Sequence, residues 1–113
     1  MTEEDGTNTG WNEIDLNGAR QWVSVRGNQK GPVLLYLHGG PGGAEYGPRR
    51  RYLSRLEEDW CVVDWEQRGA GRSFHGNETA ADLSLDALVA DGLTLVHRLR
   101  TEMPDRSLVL VGH

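Results

Sequence analysis

Apolar residues are interspersed with polar ones in two short runs near the start of the chain, residues 11–16 and 19–26, and in the second run Trp22 alternates with polar Gln21 and Ser24. Between the two runs stands Asn17-Gly18, the strongest short-range signal for a two-residue hairpin turn. The preceding residues, 1–10, are polar and rich in turn formers, which is typical of a flexible tail. The pattern therefore predicts a tail followed by an antiparallel β-hairpin at the edge of a sheet.

Three later runs are almost continuously apolar: residues 33–37, 60–65 and 107–111. Short continuous apolar runs fit the strands of a parallel sheet, which is covered on both faces. We therefore expect three buried parallel strands after the hairpin.

Two helices are predicted between these strands. Pro48 suits the first position of one helix, which residues 49–58 can continue with an apolar face made of Tyr52, Leu53 and Leu56. Ser84 suits the N-cap of a longer helix, because apolar residues recur after it at helical spacing as far as Met103-Pro104.

The element order, a hairpin followed by β-α-β-α-β, predicts an α/β fold: an antiparallel N-terminal hairpin leads into a mostly parallel sheet with crossover helices. No internal repeat or composition break divides residues 11–113, so they are predicted to form one domain.

No apolar stretch approaches the roughly 20 residues that span a bilayer. The acidic start lacks the apolar core of a signal peptide, so we expect a cytoplasmic protein.

Charge narrows the range of partners. The chain has 12 basic and 17 acidic residues and a net charge of -5. Nucleic acids and anionic membranes require clustered positive charge, so neither is an expected partner. The one basic cluster, Arg49-Arg50-Arg51 with Arg55, is followed at once by acidic residues and predicts a solvated helix face. The single cysteine, Cys61, lies in an apolar run and is expected to be a buried, inert thiol.

Candidate chemistry gathers where the three predicted parallel strands end, at His38, Glu66 and His113. Ligands of a parallel α/β sheet bind beyond the carboxyl ends of its strands. We therefore expect the three segments that follow these strands to share one site.

The first of these segments is glycine-rich and runs through Gly39, Gly40, Pro41 and Gly42. Backbone N–H groups stabilise a developing oxyanion, glycine permits close approach of the backbone, and proline stiffens the turn. We expect the Gly40 N–H to be an oxyanion-hole donor with Gly39 beside it, and His38 to fix the loop by hydrogen bonds. The alternative is an ordinary glycine turn between a strand and a helix.

The last strand runs into Gly112-His113. The pattern Gly-x-Ser-x-Gly after a buried strand is the turn that presents a nucleophilic serine, and Gly112 and His113 match its first two residues. The serine is expected to follow His113, and the residue after the serine would supply the second oxyanion donor. The 113-residue chain itself is then expected to be inactive, because nucleophile, acid and base are missing.

The remaining segment, residues 66–73, is expected to brace the site. Polar side chains after a strand can fix a loop by hydrogen bonds, and glycines serve tight turns. Trp65 and Gln67 are expected to line the floor of the pocket. The expected supporting residues are Glu66, Gln67, Arg68, Gly69 and Gly71.

Neither a cofactor nor a metal is predicted. The pair Gly69 and Gly71 suggests dinucleotide binding only weakly, since Phe74 replaces the third glycine and no helix opens there. His75 and His97 are expected at the surface, and no pair of histidines has metal-ligand spacing.

Taken together, these motifs resemble α/β-hydrolases of the proline-iminopeptidase type. The resemblance rests on residues 38–42, 65–73 and 108–113, and it implies an incomplete α/β-hydrolase domain, the N-terminal part of a family member. Gly40 matches the family's oxyanion-hole glycine and Gly112 its first elbow glycine. Glu66 stands where many members have aspartate, as in a less characterised branch.

The resemblance implies a serine hydrolase that releases N-terminal proline or a similar residue, with a small peptide or acyl substrate. One alternative is an esterase or other acyl hydrolase of the same fold, and another is a non-catalytic remnant. Substrate preference separates the first two, and the coding sequence beyond residue 113 separates the third.

Overall fold

The mixed sheet at the centre of the protein has five strands. A computed structural model of the chain describes residues 10–39, 43–44 and 46–113, so residues 1–9 of the predicted tail, 1–10, lie outside it. Gly10 does not belong to a tail, because its carbonyl accepts the Val25 N–H of the second strand at 3.2 Å. The strand order is β1-β2-β4-β3-β5. In chain order the elements are β1 Trp11–Leu16, β2 Ala19–Gly27, β3 Val33–Leu37, α1 Tyr46–Leu53, β4 Cys61–Glu66, α2 Leu85–Glu102 and β5 Leu108–Gly112.

The predicted hairpin is confirmed. Asn17 and Gly18 both have positive φ, 54° and 86°, as a two-residue turn between twisted strands requires. The Gly18 N–H donates to the carboxylate of Asp15 at 2.8 Å, which fixes the turn. Strand β2 then pairs antiparallel with β4, so the hairpin extends one side of the sheet.

The parallel pairing of the three predicted strands is confirmed, and β3 and β4 are largely buried, but the expectation of a buried strand is wrong for β5. Strand β3 lies between β4 and β5 and pairs in parallel with both, with Leu35 opposite Val63 on one side and Leu110 on the other. Alternate residues of β3 and β4 face α2, where Leu95 and Leu99 complete the main core. Strand β5 forms the edge, and its Val109, Leu110 and Val111 are exposed.

Helix α2 follows its predicted pattern. The hydroxyl of Ser84 accepts a hydrogen bond from the Ala87 N–H at 3.2 Å, so Ser84 is the N-cap, and the helix ends before Met103. Its C-terminal half is buried through Leu95 and Leu99, whereas Leu85 near its start is exposed. In the described part of the chain, no helix is long and apolar enough to cross a membrane.

The predictions for α1 are wrong in two respects. The helix begins at Tyr46, two residues before Pro48, and a 3-10 helix, Ser54–Glu58, replaces the expected continuation. The predicted apolar face is also exposed, since Tyr52 has 73% and Leu53 43% of its surface open to solvent. A different face of α1 must therefore pack on the sheet.

That face carries Arg49, which contradicts the prediction of a solvated arginine cluster. Arg49 is only 2% exposed. Its guanidinium donates to both carboxylate oxygens of Asp64 on β4 and to Glu57, so its charge is neutralised inside the layer between α1 and the sheet. Arg51 and Arg55 remain exposed, as predicted.

Candidate active site

The carboxyl ends of β3, β4 and β5 meet at one edge of the sheet. The His113 N–H, just after β5, donates to the carbonyl oxygen of Leu37 at the end of β3, at 3.1 Å. Leu37 in turn lies opposite Trp65 of β4. The segments that begin at His38, Glu66 and His113 therefore leave the sheet side by side.

Gly39 touches the end of β5 directly. A Cβ added at Gly39 would lie 2.9 Å from the His113 carbonyl oxygen, so any side chain there would displace the backbone. The Gly39 carbonyl accepts the Gly43 N–H at 3.1 Å, which closes the glycine-rich loop on itself. Three of its predicted site residues, Gly40, Pro41 and Gly42, lie outside the described residues.

His38 connects the ends of β3 and β4. It is buried, and its Nε2 accepts the backbone N–H of Gln67 at 3.1 Å, while the Gln67 side-chain amide donates to the His38 carbonyl at 3.0 Å. An Nε2 that accepts carries no proton, so a neutral ring is protonated on Nδ1. Nδ1 lies 3.1 Å from the carbonyl oxygen of Gly39 and donates to it. In this arrangement His38 has no free ring nitrogen for acid–base catalysis.

Glu66 organises the turn after β4. Its carboxylate accepts the backbone N–H of Arg72 at 2.8 Å and the Arg72 guanidinium at 3.1 and 3.2 Å. Gly71 has φ +52°, and a Cβ there would lie 2.7 Å from the Glu66 carboxylate, so the turn leaves no room for a side chain. Gly69, with φ +78°, also lies in the left-handed region.

Arg68 is fixed by a residue that sequence reasoning missed. Its Nε and Nη2 donate to the two carboxylate oxygens of Asp91 at 2.6 and 2.9 Å, and this pairing raises the pKa of Arg68. Asp91 is fully buried on α2 and also accepts from Gln21 at 2.8 Å. A signal was present, because Asp91 falls at helical spacing between Leu88 and Leu95 on the apolar face of α2.

Beside these loops lies an open apolar groove of about 470 Å³ between the sheet and α2. Trp65 and Gln67 both line it, and the indole N–H of Trp65 donates to the Gln21 side-chain carbonyl at 2.8 Å. Its other lining residues include Leu37, Leu88, Val96, Leu110 and His113.

The remaining candidate ligands are dispersed. His75 and His97 are exposed, and Cys61 is fully buried in the core. Within residues 10–39, 43–44 and 46–113, no three of the histidine, cysteine, aspartate and glutamate side chains are grouped so that they could hold a metal ion.

Known proteins resemble this chain in sequence and in fold. No family model matches the chain. The protein named probable aminopeptidase YbaC, from Bacillus subtilis, is 31% identical over 102 residues, which are 89% of this chain and 32% of that protein. A crystal structure of a proline iminopeptidase-related protein from Thermus thermophilus superimposes with a TM-score of 0.73 and 33% identity, over 91% of this chain and 35% of that one. The chain is an α/β-hydrolase of the proline-iminopeptidase type.

The same fold extends to another group of hydrolases. The epoxide hydrolase VrEH1 from Vigna radiata superimposes with a TM-score of 0.68 and 26% identity, over 91% of this chain and 31% of that one. This α/β-hydrolase chain therefore spans about a third of the length of the relatives that it matches.

Proposed function

We propose that the protein whose gene encodes these 113 residues, called the encoded protein below, is a serine hydrolase. It releases N-terminal proline or a similar residue from small peptides. The observation that carries the proposal is the contact of Gly39 with His113 at the carboxyl edge of the sheet. In this proposal the Gly40 N–H is one oxyanion donor, and a serine follows His113. The second donor is the N–H of the residue after that serine.

The proposed reaction is acyl transfer in two steps. The serine oxygen bonds to the substrate carbonyl carbon and its proton passes to a histidine later in the sequence; the tetrahedral intermediate then expels the amine, which takes up that proton. Water then bonds to the acyl carbon and gives a proton to the histidine, and the second tetrahedral intermediate expels the serine oxygen, which takes up that proton and leaves the acid product. The N–H groups stabilise the negative charge on the carbonyl oxygen in both steps. His38 positions the loop, since both of its ring nitrogens are engaged.

The proposal includes three further expectations. The 113 residues alone do not turn over substrate, because losing triad members costs a factor of about 10⁴ to 10⁶. The substrate is a small peptide or acyl compound, without a cofactor, nucleic acid or membrane partner. The protein acts in the cytoplasm.

A second candidate activity is epoxide hydrolysis, which is favoured by the structural similarity to the Vigna radiata enzyme. An esterase of the same fold is the third. The three differ in the bond that is cleaved, so a substrate panel distinguishes them.

The test uses the protein as its gene encodes it, beside the 113-residue chain. Both are assayed with a proline arylamide, an acetyl ester and an aryl epoxide, and with a fluorophosphonate probe that labels activated serines. We expect turnover of the arylamide and labelling by the encoded protein only. Turnover of the epoxide without labelling would replace the first candidate by the second, and turnover by the 113 residues would contradict their proposed inactivity.

A further inference from the structure

Both ends of the glycine-rich loop contact the same segment, residues 66–73. At the front, His38 precedes Gly39 and is hydrogen-bonded to Gln67. At the back, Tyr46 is the first residue of α1, and its ring faces the guanidinium of Arg72 at 5.8 Å from Cζ to the ring centroid. The front contact consists of buried hydrogen bonds that each join a side chain to the backbone, whereas the back contact is made by side chains alone.

The ring of Tyr46 lies in an aromatic and cationic cluster. It meets the ring of Trp11 edge to face, with centroids 4.7 Å apart and planes inclined by 62°. The guanidinium carbon of Arg26, Cζ, lies 5.9 Å from the centroid of the Tyr46 ring. Edge-to-face pairs and cation–π contacts both favour one ring orientation, so the cluster fixes the start of α1.

Arg72 joins this cluster to the end of β4. Its Cζ lies 4.2 Å from the centroid of the Trp11 ring, while Nη1 donates to both carboxylate oxygens of Glu66. A planar guanidinium can stack on an aromatic ring by its face and pair with a carboxylate by its edge, whereas a lysine ammonium has no planar face to stack. The Glu66 side chain is 6% exposed and that of Arg72 45% exposed.

The length of the Glu66 side chain lets its carboxylate reach both the backbone and the guanidinium of Arg72. The same oxygen, Oε1, accepts the backbone N–H of Arg72 at 2.8 Å and its Nη1 at 3.2 Å. An aspartate at position 66 would be one methylene shorter, so we expect it to reach the backbone N–H of Arg72 but not its guanidinium.

From these contacts we propose that Arg72 is a positioning residue, which fixes the end of the glycine-rich loop by stacking on Trp11 against Tyr46 while paired with Glu66. The proposal rests on the proposed function, in which this loop supplies an oxyanion donor. Arg72 does not touch the reacting atoms; it acts through Tyr46. Because it is half exposed, it can be replaced without leaving a buried cavity.

The variants are Arg72→Ala and Arg72→Lys, with Arg55→Ala as the matched control. The Arg55 side chain is 93% exposed, and its ion pair with the exposed Glu58 spans 3.7 Å. In the encoded protein we expect Arg72→Ala to lower kcat by about 10- to 100-fold with KM changed less than about threefold, because displaced catalytic groups slow the chemical step. Arg72→Lys should recover little of this loss, and Arg55→Ala should resemble the parent.

Chemical rescue separates positioning from general structural support. Added guanidinium should restore part of the kcat of Arg72→Ala, since the half-exposed site can admit it, and should not affect Arg55→Ala. Equal kcat values for Arg72→Ala and Arg55→Ala would overturn the proposal. If the parent protein turns over no substrate of the panel, the proposed function fails instead.

A readout without substrate then decides the positioning claim. In the parent protein, ring protons of Trp11 and Tyr46 should show mutual nuclear Overhauser effects. In Arg72→Ala these should weaken or disappear, while the melting temperature stays within a few degrees of the parent. Undiminished effects in Arg72→Ala would overturn the proposal whatever the activity.

Discussion

The guanidinium of Arg49 is paired with the carboxylate of Asp64 inside the layer between α1 and the sheet, with Nε 2.9 Å from Oδ1. The Arg49 side chain is fully buried and that of Asp64 5% exposed. Glu57 accepts a further bond from Nη1 at 2.9 Å. Helix α1 is thus attached to the sheet by an ion pair where an apolar contact was predicted.

Replacing Arg49 should therefore be costly. Arg49→Met leaves the Asp64 carboxylate buried without its partner, which typically costs about 3–5 kcal/mol. Arg51→Met is the control on the same helix; Arg51 is exposed, so the change should stay within about 0.5 kcal/mol. Urea unfolding followed by circular dichroism measures both, and similar midpoints for the two variants would contradict the buried pair.

The same variant makes a prediction about pH. Burial raises the pKa of Asp64 above its ordinary 3.8, and hydrogen bonds from Arg49 oppose that rise. Without Arg49 the folded-state pKa rises further above the unfolded one, so the folded state binds a proton that the unfolded state has released. The free energy of unfolding of Arg49→Met should then fall as pH increases from about 4 through the folded-state pKa. Unfolding of Arg49→Met and Arg49→Met/Asp64→Asn as a function of pH tests this, since the double variant lacks the titrating carboxyl.

These residues also show how far the sequence predicts the structure. The hairpin follows from Asn17-Gly18 alone, because the need for positive φ is local. Strands β3 and β4 follow from their apolar runs, because a strand covered on both faces is apolar at successive positions. The environment of Arg49 does not, since its partner Asp64 lies 15 residues away in an apolar run and only the packing of α1 against β4 brings the two together.

The candidate site also combines features that the sequence predicts with features that it does not. The convergence of the segments at His38, Glu66 and His113 could be predicted, because parallel strands end at one edge of a sheet. The side-chain partners within the site could not. Nothing local links Arg68 to Asp91, 23 residues on, or Arg72 to Trp11 across the sheet.

Asp91 gives a second test of a buried charge. It accepts two bonds from Arg68, one from Gln21 and one from Asn17 at 3.1 Å. Asp91→Asn removes the charge and turns an amide donor towards these donors, so we expect a loss of about 3–5 kcal/mol.

The matched control for that variant is Asp86→Asn in the first turn of the same helix. Asp86 is exposed and contributes mainly through the helix dipole, so its loss should be at most about 1 kcal/mol. Chemical unfolding measures both. Equal losses would mean that the pairing of Asp91 with Arg68 does not stabilise the fold.

Cys61 should report on opening of the core. The residue is fully buried, and burial raises the pKa of its thiol, so both access and the thiolate fraction are low in the folded state. We expect its reaction with a thiol reagent at pH 8 to be at least about a thousandfold slower than in denaturant, because it requires unfolding. A Ser54→Cys variant is the control, since Ser54 is exposed and the added thiol should react at once. Equal native rates for the two thiols would show that the core opens freely.

The contact between Gly39 and His113 yields the prediction closest to function. Gly39→Ala would place a methyl group 2.9 Å from the His113 carbonyl oxygen and must push the glycine-rich loop away from β5. Such overpacking typically costs about 1–3 kcal/mol, and a shift of the proposed oxyanion donor should lower kcat by about 100-fold. Gly47→Ala is the control, because a Cβ there meets nothing within 4 Å and alanine is favoured over glycine in a helix by up to about 1 kcal/mol. With both variants in the encoded protein, kcat and the melting temperature are measured together. A Gly39→Ala protein that retains the parent kcat would show that the apposition of these two segments does not serve catalysis.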